Sequence, residues 1–93
     1  MRTQNTKRKT TKTELQSAVD SFRYTMDWVT GGTREETQRQ APTAVISLQK
    51  KADTVAALLL NLSKPALRDT WLCDYASRIP SMLQTYRERY LAA

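Results

Sequence analysis

The sequence predicts an all-α protein, and three observations lead to that prediction. Its periodic stretches are rich in Leu, Ala, Gln, Arg and Lys, which are good helix formers. Only two glycines occur in 93 residues, and no stretch alternates apolar and polar residues as a half-buried strand does. Apolar residues recur instead at spacings of three and four, as on a helix with one buried face. We expect one helical domain over 13–93, preceded by a disordered basic tail at 1–12.

Positive charge is concentrated in that tail. Five of the fifteen lysines and arginines precede Glu14, the first acidic residue, and the net charge of the chain is +6. A segment this polar cannot bury enough apolar surface to fold. We expect it either to contact phosphate loosely or only to aid solubility.

The first helix is predicted over about 13–30. Thr11 and Thr13 each begin a capping-box pattern, with Glu or Gln three residues later, which favours a helix start near residue 12 or 14. The Gly31-Gly32 pair is expected to end this helix.

The long second helix is predicted over 42–62, with an alternative start at residue 34. A capping-box pattern at Thr33 favours the earlier start, whereas Pro42 suits either the first turn of a helix or a kink in a longer one. Apolar residues recur along this helix at spacings of three and four, which predicts one continuous buried face. That face comprises Val45, Leu48, Ala52, Val55, Leu59 and Leu62.

Two further helices are predicted at 65–79 and 81–92, separated by Pro80, so that a helical hairpin is followed by additional C-terminal helices. Tyr24 and Trp28 form a second apolar strip on the first helix, and a single partner helix cannot cover everything. We therefore expect two copies to dimerise with a four-helix core. The residues expected in this core and dimer interface are Leu48, Val55, Leu59 and Leu62.

The composition argues against an enzyme. The chain has no histidine, and its single cysteine, Cys73, cannot form an internal disulfide. We find no pattern for acid–base, nucleophilic or metal chemistry, and we expect no cofactor, metal or small-molecule substrate. The longest apolar run, 55–60, is too short to cross a membrane, and nothing resembles a signal peptide, so a cytoplasmic protein is expected.

The side of the long helix opposite its apolar face is polar and basic. At about 1.5 Å per residue, a helix that continued from Arg39 to Lys64 would span roughly 37 Å, long enough to lie along a nucleic-acid duplex. No carboxylate falls on this line of residues. The candidate nucleic-acid-binding residues are Arg39, Ser47, Lys50, Thr54, Asn61 and Lys64.

The order and spacing of several short runs resemble the small RNA-silencing suppressors of alphanodaviruses, of flock-house-virus type. The resemblance extends from about residue 15 to residue 91, and no single run is distinctive by itself. The runs are Leu15 to Asp20, Leu48-Gln49-Lys50, Thr54-Val55, the Lys64-Pro65 turn, Trp71-Leu72, and Pro80 before a charged terminal helix.

The resemblance implies a homodimeric, antiparallel four-helix bundle that lays its long helices along one side of double-stranded RNA. Such proteins bind without sequence preference and shield viral duplexes and small RNAs from host silencing, in the host cytoplasm. Arg39, Lys50 and Lys64 match family positions that contact phosphate and ribose. Ala57 stands where the family uses an arginine, and Pro42 has no clear counterpart.

Two other functions remain open on the sequence. Ala57, Asn61 and Leu67 are spaced roughly as in a helix-turn-helix, in which Lys64 and Arg68 would face a DNA groove. Acidic residues in the helix that would enter the groove suit that function poorly. The third possibility is a small viral or phage inhibitor that binds a protein through aromatic anchors. Those anchors would be Trp28, Tyr24 or Trp71.

Overall fold

The computed structural model describes residues 9–63 and 70–91, and these ranges form three α-helices and no strand. The first helix, α1, spans Lys12–Thr30, α2 spans Arg34–Leu59, and α3 spans Thr70–Tyr90. A three-residue connection joins α1 to α2 as an antiparallel hairpin, and α3 packs against both helices. The all-α class is confirmed.

Capping boxes begin both helices of the hairpin. In the first, the backbone N–H of Glu14 donates to Thr11 Oγ1 at 3.2 Å, and the backbone N–H of Thr11 donates to Glu14 Oε1 at 3.0 Å. Thr33 and Glu36 repeat the same pair of bonds at 3.2 and 3.0 Å. These bonds satisfy backbone donors that have no partner within the helix, which fixes the starts at Lys12 and Arg34.

The long helix starts at Arg34, which confirms the alternative start that the capping box at Thr33 favours and excludes a start at residue 42. Pro42 lies inside α2, where it lacks the N–H that would bond to the carbonyl of Gln38. Both residues are exposed, so solvent can hydrogen-bond to that carbonyl. The other end of the predicted range, residue 62, is also corrected, because α2 ends at Leu59.

The chain beyond α2 pairs with the residues before α1. The backbone N–H of Thr10 donates to the carbonyl of Asn61 at 2.6 Å, and the N–H of Ser63 donates to the carbonyl of Thr10 at 2.9 Å. This isolated parallel bridge leaves Thr10 only 5% exposed. The N–H of Asn61 still donates to the carbonyl of Leu58 at 3.4 Å, so the segment stays tied to the end of α2 while the carbonyl of Asn61 pairs with Thr10.

The bridge also corrects the predicted boundary of the basic tail. Disorder is expected at residues 9–12, yet Thr10 is held by two backbone bonds, Thr11 caps α1 and Lys12 is its first residue. Residues 1–8, the rest of the predicted tail, lie outside the described residues.

The predicted break at Pro80 is wrong, because α3 runs unbroken through it. The buried residues of α3 form one face that continues on both sides of the proline, and tertiary packing of that face stabilises the helix more than one missing backbone bond weakens it. The buried face comprises Leu72, Ala76, Ile79, Leu83 and Tyr86. The expected helix start at Pro65 lies outside the described residues.

The core is closed within one chain. Leu48 is 0% exposed and Val55 is 1% exposed, whereas Leu59 and Leu62 are partly buried against the same core. These four residues are the ones expected in a core shared by two copies. The face of α3 covers the apolar side of the hairpin instead, so their burial needs no second copy. No helix within the described ranges is both long and apolar enough to span a membrane.

We predict that Leu48→Ala lowers the free energy of unfolding by about 2–5 kcal/mol, because it leaves a cavity in a closed core. Ile46→Ala, at an exposed position of the same helix, is the matched control and should change stability by less than about 0.5 kcal/mol. Chemical denaturation followed by circular dichroism measures both. Equal losses for the two variants would contradict this packing.

The capping box of α2 predicts that the stability of the protein depends on pH. Hydrogen bonds from Thr33, first from its backbone N–H and then from its hydroxyl, hold the pKa of Glu36 below its ordinary value of 4.5. Because the pKa of Glu36 is lower in the folded protein than in the unfolded chain, its ionised carboxylate stabilises the fold at pH values above the unfolded pKa. This stabilisation is lost as the pH falls through the pKa of the folded protein.

Glu36→Gln should therefore be less stable than wild type at pH 7, and the difference should shrink as pH falls below about 4.5. Thermal melts at several pH values measure this difference. Glu35→Gln removes a carboxylate from the same helical turn without touching the capping box. The difference in stability between Glu35→Gln and wild type should therefore depend less on pH. If the difference in stability between Glu36→Gln and wild type stays constant with pH, the carboxylate of Glu36 does not stabilise the fold in this way.

Candidate nucleic-acid interface

One side of α2 is exposed along most of its length. We call this set of side chains the polar edge, and it comprises Arg39, Thr43, Ser47, Lys50 and Thr54. These residues lie opposite Leu48 and Val55, whose burial fixes which side of α2 faces solvent. Arg39 and Lys50 are about 16 Å apart along the helix axis. The edge therefore presents two positive charges with hydroxyl groups around them.

The far end of the predicted line of residues is arranged differently. Asn61 follows the end of α2 and is half-buried, with its carbonyl oxygen accepting the N–H of Thr10. Lys64 lies outside the described residues. Because α2 ends at Leu59, a helical line from Arg39 to that end measures about 30 Å.

A carboxylate lies close to the start of the polar edge, and the sequence-based prediction of the edge does not include it. Hydrogen bonds from Thr33 lower the pKa of Glu36 most strongly, and the positive charge of Arg39, three residues later, lowers that pKa further. Arg39 thus stands beside a negative charge as well as facing solvent. The sequence contains a signal for this neighbour. The Thr-x-x-Glu pattern starts the helix at Thr33, and in that helix Glu36 lies one turn before Arg39.

The flank of α2 that faces α3 carries a second carboxylate. Arg87 donates to Gln49 Oε1, and Gln49 Nε2 donates to the exposed carboxylate of Asp53 at 2.8 Å. The chain Arg87–Gln49–Asp53 holds this negative charge beside the polar edge.

The flank of α2 that faces α1 is positively charged. Lys51 Nζ donates to Ser21 Oγ at 2.8 Å, which joins the two helices of the hairpin. Ala57 is exposed where the resemblance expects an arginine, and the last turn of α2 contains no basic residue. Lys51 therefore places a positive charge of α2 on this flank, beside the second half of the polar edge.

Aromatic side chains form a separate exposed surface on α1. Trp28 is 84% exposed and Tyr24, one turn earlier, is 75% exposed. Trp71 is half-exposed and stacks on Tyr75 with ring centroids 5.6 Å apart. Exposed aromatic residues of this size are common at sites that bind proteins.

Arg23 connects α1 to the aromatic pair of α3. Its guanidinium lies 5.4 Å from the ring centroid of Trp71 and 5.5 Å from that of Tyr75, within the range of cation–π attraction. Burial raises the pKa of Tyr75, and Arg23 opposes that shift while Asp27 adds to it. The i, i+4 spacing of the two rings is visible in the sequence, but their contact with Arg23 depends on how the helices pack.

A groove of about 500 Å³ lies between the end of α1 and the second half of α3. Met26, Met82 and Tyr90 line it, together with Arg78 and Arg89. The hydroxyl of Tyr86 has no hydrogen-bond partner among the described residues, and burial, followed by the nearby Tyr90, raises its pKa. That hydroxyl is too enclosed for a ligand in the groove to reach it.

The arrangement suits binding to phosphate and hydroxyl groups. Among the described residues, no three His, Cys, Asp or Glu side chains come together as metal ligands would. The ammonium, the guanidinium and the hydroxyls of Thr43 and Ser47 can donate hydrogen bonds to phosphate oxygens and to ribose. The hydroxyl of Thr54 donates to the carbonyl of Lys50 at 3.0 Å, so it can only accept a further bond.

Comparisons of this chain with protein-family models, with curated proteins and with solved structures found no match.

Proposed function

We propose that this protein binds double-stranded RNA without sequence preference, through the polar edge of α2. The observation that carries the proposal is the exposure of Arg39, Ser47, Lys50 and Thr54 along one side of a 26-residue helix. The resemblance to alphanodavirus silencing suppressors supports the same ligand, because it matches Arg39 and Lys50 to positions that contact the RNA backbone.

The chemistry of duplex RNA fits such an edge. The major groove of A-form RNA is too deep and narrow for side chains to read, so proteins recognise the phosphates and the 2′-hydroxyls across the shallow minor groove. Short hydroxyl side chains and basic groups serve this purpose, and they carry no information about base sequence. A helix that contacts only the RNA backbone therefore accepts any duplex of sufficient length.

The proposed binding unit is a homodimer, which doubles the number of basic groups presented to the duplex. Because α3 covers the apolar side of the hairpin, the second copy would contact apolar groups that remain exposed. Leu60 is 89% exposed, and Trp28 lies at the opposite end of the hairpin. An antiparallel dimer brings opposite ends of two hairpins together. In this proposal Leu60 of one copy contacts Trp28 of the other.

In this proposal the protein acts as a shield and has no catalytic activity. Coating a viral duplex denies access to a host nuclease that would cut it, and binding small RNAs withholds them from host silencing. The action would take place in the host cytoplasm, where both kinds of RNA occur. It requires no cofactor and no small-molecule substrate.

The exposure of Trp28 and Tyr24 favours a second candidate, a protein-binding inhibitor that uses these rings as anchors. Phosphate binding weakens steeply as salt rises, whereas an aromatic contact responds little. The helix-turn-helix alternative depends on Lys64, Leu67 and Arg68, which lie outside the described residues.

We predict selective binding to duplex RNA of about two helical turns, over the same sequence as duplex DNA and over single-stranded RNA. In the proposed homodimer, the double substitution Arg39→Ala/Lys50→Ala should reduce the slope of log affinity against log salt by about 4, because each of the two copies neutralises two fewer phosphates. Titration at several salt concentrations measures this slope. Arg78→Ala/Arg89→Ala removes the same charge from α3 and should leave the slope unchanged.

Preference for DNA in that titration would favour the helix-turn-helix alternative. Absence of binding to all three nucleic acids would overturn the proposal and point to a protein partner.

For the dimer, we predict that Trp28→Lys/Leu60→Lys yields a folded monomer. Both positions are exposed in the single chain, so helical content should be unchanged, while two charges at the contact oppose association. Sedimentation velocity gives the oligomeric state. A wild-type monomer, or a double variant that still dimerises, would contradict the proposed contact.

A further inference from the structure

A second groove lies beside the polar edge. It has a volume of about 580 Å³ and runs between α1 and α2. Thr54 lines this groove and also belongs to the polar edge, so the two surfaces are continuous. The groove is lined by Thr13, Glu14, Ser17, Ala18 and Ser21 of α1 and by Lys51, Thr54 and Leu58 of α2.

Hydroxyl groups form a row along the α1 side of this groove. Thr13, Ser17 and Ser21 are four residues apart, so they share one face of the helix, at steps of about 6 Å. Within the described residues, the hydroxyls of Thr13 and Ser17 make no hydrogen bond. They are free to donate to an oxygen atom that enters the groove.

Lys51 supplies the positive charge of the groove. Its ammonium is held at 2.8 Å from Ser21 Oγ, and an ammonium has three donors, so two remain for another partner. The bond to Ser21 positions the charge in advance, which reduces the entropic cost when an anion binds.

The groove contains one charge of each sign, with Lys51 near its Ser21 end and Glu14 near its Thr13 end. Glu14 is the one carboxylate among the residues that line it, about 10 Å along α1 from Ser21. Its Oε1 atom already accepts hydrogen bonds from the N–H and the hydroxyl of Thr11. The opposite flank of α2 carries the exposed carboxylate of Asp53, which repels phosphate.

We propose that this groove holds the sugar–phosphate backbone of one RNA strand while the polar edge contacts the other strand of the same duplex. Lys51 binds phosphate, and Thr13 and Ser17 donate hydrogen bonds to phosphate or ribose oxygens. The inference rests on the proposed function and extends it from one helix to a surface that is two helices wide. Lys51 then provides a cation on the part of the surface where Ala57 provides none.

The experiment compares Lys51→Ala with Arg89→Ala, which removes the same charge from α3. Each purified full chain is titrated with duplex RNA of about two helical turns at several salt concentrations. In the proposed homodimer, Lys51→Ala should reduce the slope of log affinity against log salt by about 2, because each copy neutralises one fewer phosphate. Arg89→Ala should leave the slope unchanged. Circular dichroism checks that each variant keeps the helical content of wild type.

Two substitutions at exposed Ser17 test the groove without touching the Lys51–Ser21 bond. Ser17→Lys adds one cation to the row in each copy and should increase the slope by about 2 for the homodimer, whereas Ser17→Glu should weaken binding. Opposite effects from the same position cannot arise from a general loss of folding.

The outcomes separate this inference from the proposed function. If wild type binds duplex RNA but Lys51→Ala matches Arg89→Ala and both Ser17 variants match wild type, the groove is not a binding surface and the proposed function stands. If wild type does not bind duplex RNA, both the inference and the proposed function fail.

Discussion

The packing of α3 across the α1–α2 hairpin is the interaction on which the rest of the structure depends. Isolated helices of this length are marginal in water, so burial of apolar faces must supply most of their stability. Leu72, Ile79 and Leu83 contribute the face that closes the core over Leu48 and Val55. Because that packing occupies one side of α2, the opposite side stays in solvent, where its polar groups are available to a ligand.

Local sequence predicted the local features of the fold, and tertiary contacts decided the others. The Thr-x-x-Glu patterns indicated both helix starts, since each capping box is formed within four residues. The pairing of Thr10 with residues 61–63 joins segments about fifty positions apart, and no local pattern encodes it. A helix end is expected at Pro80, because the absence of one backbone bond is visible in the sequence and the packing that outweighs it is not.

The sequence predicted part of the candidate site, and the packing of the helices decided the rest. The exposed position of Arg39 and Lys50 followed from the apolar stripe alone, because burying one side of a helix exposes the other. The flanks could not be foreseen, since Lys51 meets Ser21 and Arg87 meets Gln49 only once the three helices are packed. These contacts give α2 two unlike flanks, one with a lysine among hydroxyls and one with a carboxylate.

Pro42 marks the point at which α2, and with it the polar edge, would bend. The missing hydrogen bond at the proline divides α2 into an arm of eight residues, 34–41, and a longer segment, 42–59. Helices bend most easily at such points. Arg39 lies on the short arm and Lys50 on the longer segment, so a bend at Pro42 would change the distance between their charges. In the proposed complex, such a bend would let the polar edge follow a curved duplex as well as a straight one.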